Sequence, residues 1–147
     1  MLPVRSRLRP RAGVSLAELL AALTVAALLA AAGTRAVASV ADGAATHAAA
    51  AELRATFASA RAFAVLRAAR TAVHLDSAAG VTTVHVGSDT VHRLLLRARY
   101  GVRLAVTRDS MAYAPLGIGY GAANLRAVLT RGRASDTVTV SRLGRVR

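Results

Sequence analysis

Gly13-Val14-Ser15-Leu16-Ala17-Glu18-Leu19-Leu20 is the stretch whose reading decides the fold. A basic leader precedes it and a long apolar run follows it. From Leu19 to Thr34 there is no charged residue, and Ala, Leu and Val dominate. Glu18 therefore sits near the start of an otherwise membrane-length segment, Val14 to Gly33, which is 20 residues long. About that number is needed to cross the hydrocarbon core of a bilayer. A carboxylate there costs on the order of 2.5–3.5 kcal/mol on insertion scales, so it calls for a partner.

Spacing offers one. A cut after Gly13 would leave Val14 with a free α-amine, one helical turn from Glu18 and on the same face. Ammonium and carboxylate so placed neutralise each other, within one chain or between neighbours. Acid near a helix N-terminus is also favoured by the macrodipole.

Gly-Val-Ser-Leu-Ala-Glu-Leu resembles the processing motif of type IV pilins and pseudopilins. That motif has Gly before the cut, an apolar first residue, Ser or Thr, Leu, and Glu at the fifth mature position. Val14 stands where the family usually has Phe. The resemblance implies a prepilin peptidase that cuts between Gly13 and Val14 and methylates the Val14 amine. It implies that Glu18 pairs with a neighbour's amine during filament assembly. A competing reading is an ordinary signal peptide, with its cleavage site in Ala30-Ala31-Ala32 and a secreted basic binding protein starting near Gly33.

The chain of 147 residues allows one small domain. It has no cysteine, so apolar packing and not disulfides must hold it. Aromatics make up 3%, so the core is built from small residues. The formal charge is +13, and every basic residue is Arg. From Gly43 onward, 15 arginines face five acids, a net charge of +10. A basic outer domain favours polyanions such as nucleic acid or anionic surfaces.

Residues 1–13 read as a leader on the cytoplasmic side, with the rest placed across the membrane by the positive-inside rule. Residues 14–40 read as one hydrophobic transmembrane and assembly helix, and Asp42-Gly43 as a turn or kink signal. Residues 41–70 read as an amphipathic helix, with Leu53, Phe57, Ala60 and Ala64 on one stripe. From residue 71 to 147 the pattern is β-rich. Strands are predicted at 71–75, 81–86, 90–96, 102–107, 125–130 and 137–141. Gly-rich 109–121 reads as loop with one short strand, and 131–136 as the longer loop of a hairpin.

The expected class is α+β, a long N-terminal helix packed on a C-terminal antiparallel sheet, which is also the pilin architecture. The Gly-rich Leu116–Gly121, the hairpin and the ending Val138-Thr139-Val140-Ser141-Arg142-Leu143-Gly144-Arg145-Val146-Arg147 look like the GspH/FimT group of minor pseudopilins. That resemblance implies assembly with other pilin or pseudopilin subunits. It implies an inner-membrane protein with a periplasmic C-terminal domain that later enters a pilus or pseudopilus filament. Two functions fit: a subunit that binds DNA during uptake in natural transformation, or a structural pseudopilin of type II secretion.

In a strand, Arg145 and Arg147 project together while Val146 packs inward. In the FimT branch this ending is associated with DNA binding, which implicates Arg145 and Arg147. Arg142 and the hairpin-tip pair Arg131 and Arg133 join them as candidates if they lie nearby. Guanidinium suits phosphate through bidentate contacts. The competing reading is a solvated edge strand whose charges block edge-to-edge association. Arg93, Arg97, Arg99, Arg103 and Arg108, with Tyr100 among them, form a second basic stretch. Most of these read as ordinary exposed positions. His47, His74, His85 and His92 show no metal spacing, and Asp76, Asp89, Asp109 and Asp136 read as turn residues. No catalytic constellation, metal site or cofactor motif is found, so an enzyme is not expected.

Overall fold

The computed structural model describes residues 13–120 and 124–147; of the leader, residues 1–12 lie outside the described residues. The order is α1 (Leu16–Leu66), β1 (Thr71–Asp76), β2 (Val81–Val86), β3 (Asp89–Leu95), α2 (Leu96–Tyr100), β4 (Arg103–Val106), β5 (Ser110–Tyr113), β6 (Gly119–Tyr120), β7 (Leu125–Arg131) and β8 (Ala134–Val140). The chain divides into two compact units, Met1–Val37 and Ala38–Arg147, and α1 contributes to both.

In the first unit α1 starts with a capping box. The Ser15 hydroxyl accepts the Glu18 N–H at 3.2 Å, and the Glu18 carboxylate accepts the Ser15 N–H at 3.0 Å. Beyond it Leu16, Leu19, Leu20, Leu23, Leu28 and Leu29 are all exposed. Thr24 and Thr34 return their hydroxyls to the Ala21 and Ala31 carbonyls at 2.8 and 3.0 Å. Every polar group so satisfied suits a hydrocarbon solvent. This helix is long and apolar enough to cross a membrane, with an 18-residue window of mean hydropathy 2.0.

In the second unit α1 buries Thr46, Ala49, Ala50, Leu53, Thr56, Phe57, Ala60 and Ala64. Those positions recur every three or four residues, the spacing of one helix face. Asp42-Gly43, read as a turn or kink signal, lies inside the continuous α1. A helical Gly costs only about 1 kcal/mol against Ala, and the Ala-rich flanks outweigh it. Asp42 is also held: its carbonyl accepts the Thr46 hydroxyl at 2.7 Å, and its carboxylate meets Arg131 at 2.8 Å. The helix stops at Leu66, short of the predicted Arg70, in a Schellman motif. Ala69 N–H reaches the Ala64 carbonyl and Ala68 N–H the Val65 carbonyl, both at 3.2 Å, with Ala68 left-handed at φ 46°.

The strands form two antiparallel sheets, β3-β2-β1-β5-β6 and β4-β7-β8. Alternation sets their faces. Thr71, Val73 and Leu75 of β1 and Thr82, Val84 and Val86 of β2 point inward, as do Leu125, Ala127, Leu129, Val138 and Val140 of the second sheet. They share one core with Leu53 and Phe57 of α1. Residues 109–121 supply two short strands, β5 and β6, where one was expected. Residues 96–100, predicted partly as strand and partly as connector, fold instead as α2, closed by left-handed Gly101.

The β7–β8 connection is tighter than the six-residue loop predicted. Arg131 pairs with Ala134, leaving Gly132-Arg133 as the turn. Gly132 takes φ 55°, and a Cβ there would collide with the Asp42 carboxylate. After β8 the chain reverses through Arg142 and Leu143 and returns along the free edge of β8. Arg147 and Thr139 exchange backbone bonds at 2.8 and 2.9 Å, and Val146 bridges Val140. Gly144 makes that reversal possible: it has φ 83°, and a Cβ on it would lie 2.6 Å from the Tyr113 ring.

Candidate functional site

Strand parity sorts the arginines. In β7 the odd residues Leu125, Ala127 and Leu129 face the core, so Arg131 lies on that side too. Its Nε meets Asp42 of α1 at 2.8 Å, and its Nη1 donates to the Tyr100 carbonyl at 2.7 Å. Arg131 thus clamps α1 and α2 to the second sheet. Arg133, at the hairpin tip, is exposed. Five residues of β8, 134–138, separate it from Thr139, where the tail pairs, a distance of roughly 20 Å. The tip and the tail are therefore at opposite ends of β8.

The tail faces the other way. Val146 is half-buried against the core, while Arg145 and Arg147 are exposed. Register then adds a residue that the sequence reading missed. Arg147 lies beside Thr139, and Thr139 pairs with Arg126 of β7. Arg126, Thr139 and Arg147 consequently form one row across the outer face, with roughly 10 Å between the outer two Cα atoms. A parallel row runs Asn124, Ser141, Arg145. Its backbone is pinned by Asn124 Oδ1 accepting the Arg142 N–H at 2.8 Å and Ser141 Oγ accepting the Arg145 N–H at 3.0 Å. Asn124, Thr139, Ser141, Arg145 and Arg147 line a shallow depression. Among the described residues no Asp or Glu projects from this face. Arg142 is exposed in the turn above it. Three guanidinium groups over hydroxyls and an amide make a surface that can hold phosphate oxygens.

Two other expectations resolve differently. Asp136, read as a turn residue, accepts Arg54 at 3.0 Å, the Thr137 N–H at 2.7 Å and a His47 contact at 3.3 Å. Burial works against its charge, but the Thr137 amide and the Arg54 guanidinium prevail and hold its carboxyl below the usual value. Of the middle basic stretch, Arg99 meets Glu52 at 2.7 Å, and the Tyr100 hydroxyl also donates to Glu52. That hydroxyl ties Tyr100 to α1, and the residue packs partly buried against the core. Tyr113 is enclosed beneath Gly144, and burial pushes its hydroxyl up to about 12.

At the N-terminal end, Gly13 and Val14 are exposed, and Glu18 is three residues after the capping Ser15. Glu18 is bonded to Ser15 of its own chain through one carboxylate oxygen.

Among solved structures, the chain is similar to the type IV minor pilin FimU of Pseudomonas aeruginosa strain PAO1. The TM-score is 0.61 at 13% identity, covering 69% of this chain and 86% of that one. Its fold is that of a minor pilin. A second FimU crystal form gives a TM-score of 0.58 at 12% identity, covering 69% of this chain and 90% of that one. The minor pseudopilin EpsH from the type 2 secretion system of Vibrio cholerae gives 0.54 at 12% identity, covering 69% and 94%. No family model matches the sequence, and no curated protein matches it. At such identities the minor pilin likeness is one of fold, carried by the long α1 against antiparallel sheets.

Proposed function

We propose that this chain is a minor pilin or pseudopilin that is cut between Gly13 and Val14, N-methylated at Val14, and built into a type IV pilus-like filament. The observation that carries this reading is the Gly13–Glu18 motif at the mouth of an exposed apolar helix in a chain with the minor pilin fold. The helix is anchored in the inner membrane with the Ala38–Arg147 unit on the periplasmic side. It then packs among the helices of other subunits. Glu18 pairs with a neighbour's Val14 amine, using the carboxylate oxygen that Ser15 leaves open.

The outer face built from Arg126, Arg145 and Arg147 supports DNA as a partner over a purely structural role of the type II secretion kind. Phosphate contacts of this sort position a duplex without reading its sequence.

Two measurements test the proposal. The intact mass of protein co-expressed with a prepilin peptidase should match a chain starting at N-methylated Val14. A start near Gly33 would instead establish an ordinary secreted protein. Titration of the full chain in non-ionic detergent with double-stranded DNA at several salt concentrations tests the second part. Removing Arg145 and Arg147 together should flatten the log–log salt slope by roughly 2, and adding Arg126→Ala by about 0.9 more. Absence of binding at low salt removes DNA and leaves the assembly role.

A further inference from the structure

The five-stranded sheet has an outer face that the filament reading does not use. Register places Thr90, His85, Ala72, Ala112 and Tyr120 in one row across it, and Arg93, Thr83, His74 and Ser110 in the next. Ala72 and Ala112 are too short to fill their row, so a depression of about 240 Å³ opens over them. Arg70 and Arg108, from the segments before β1 and β5, reach into it beside His74 and Tyr120.

The groups around it are held in place. Arg70 lies over the Tyr120 ring at 4.7 Å, which fixes the guanidinium plane and leaves its N–H edges open. His85 is fixed by the Thr83 and Thr90 hydroxyls, both at 3.1 Å. The His74 ring meets it edge-to-face, with centroids 5.4 Å apart.

We infer that this depression is a second anion site, taking the tetrahedral oxyanion of a phosphate or sulfate ester between Arg70, Arg108 and His74. Charge complementarity carries the inference. Arg70 and Arg108 face the depression with a single acid, Asp109, whose carboxylate accepts the Ser110 hydroxyl at 3.0 Å. Arg93 stands on the same face from β3. Asp76, at the end of β1, is occupied by the Ala79 N–H at 2.8 Å. His74 lends an imidazole edge to the lining. The site is separate from the Arg145–Arg147 face and does not rest on it.

The sequence holds four histidines, so imidazole ¹H–¹³C spectra of the full chain in non-ionic detergent give a sparse, assignable readout. The probes are sodium methyl sulfate and sodium dimethyl phosphate, both singly charged esters, against sodium chloride at equal ionic strength. The expected result at pH 6 is a saturable shift of His74 and His85 with His47 and His92 unmoved. The probe that saturates at lower concentration assigns the ester class. The Arg70→Ala/Arg108→Ala variant should lose the shift, and Arg145→Ala/Arg147→Ala should keep it. No saturable shift at pH 6, equal movement of all four imidazoles, or a shift that survives loss of Arg70 and Arg108 would each overturn the inference.

Discussion

Arg131 and Arg133 are two residues apart in the sequence, and the structure assigns them opposite consequences. The Arg131–Asp42 pair joins side chains 40% and 27% exposed, so screening limits the ion pair to roughly 0.5–1 kcal/mol. The second bond, from Nη1 to the Tyr100 carbonyl, is charge-assisted and partly buried. Losing it leaves an unpaired carbonyl, at a cost of about 1–1.5 kcal/mol. Arg131→Ala should therefore destabilise the Ala38–Arg147 unit by roughly 1.5–2.5 kcal/mol. For a unit of this size each kcal/mol moves the midpoint by about 4 °C, so the melt should drop by roughly 6–10 °C. Arg133→Ala should stay within about 2 °C, as an exposed change of no more than ~0.5 kcal/mol. The assay is thermal denaturation of the full chain in detergent, followed by circular dichroism. Asp42→Asn should be non-additive with Arg131→Ala by about 0.5–1 kcal/mol, since both break one contact. If Arg131→Ala melts with the wild type, the clamp is not formed, and Arg131 returns to the pool of free surface cations.

Two further outcomes follow from backbone and charge. Gly43→Ala and Ala68→Gly should each stabilise the fold by about 0.5–1 kcal/mol, because α1 passes through Gly43 with no atom within 4 Å of an added Cβ, whereas Ala68 is left-handed. Denaturant midpoints check both, and a loss of stability in Gly43→Ala would mean that the helix breaks there. Asp136 has a folded value lowered below its unfolded one, so its stabilisation is complete above the unfolded value, near pH 4, and is lost as pH falls through the folded value. The stability gap between wild type and Asp136→Asn should hold at neutral pH and close in acid, and a gap unchanged down to pH 2 would refute that role.

What the sequence made legible was whatever repeats at short range. The Ala, Leu and Phe stripe at 49–64 has helical spacing, and the strands at 71–86 alternate, so their faces could be read from spacing alone. The helix end was not legible. A Schellman motif normally carries a Gly, and here Ala68 takes the left-handed position without one. The capping box is spelled by Ser15-Leu16-Ala17-Glu18, and the proposed pairing of Glu18 with the Val14 amine is a second use for the same carboxylate. The two uses are compatible, since the Ser15 bonds occupy a single carboxylate oxygen.

The candidate site shows the harder limit. Charge alone groups Arg131, Arg133, Arg142, Arg145 and Arg147 as one basic ending. Which of them act together depends on register between strands, and no local pattern encodes that. A single pairing, Arg126 with Thr139, brings in an arginine that sits 19 residues before Arg145. The parity of the same strand turns Arg131 toward α1, where Asp42 lies 89 residues earlier. The tail pairs with the free edge of β8 through its own backbone and so becomes the outer edge of that sheet itself, where its arginines can also guard against edge-to-edge association. The two roles differ in one respect: edge guarding needs no ligand, whereas the proposed DNA role of the exposed row of Arg126, Arg145 and Arg147 requires a salt-dependent partner, and the salt slope of DNA binding is the measurement that separates them.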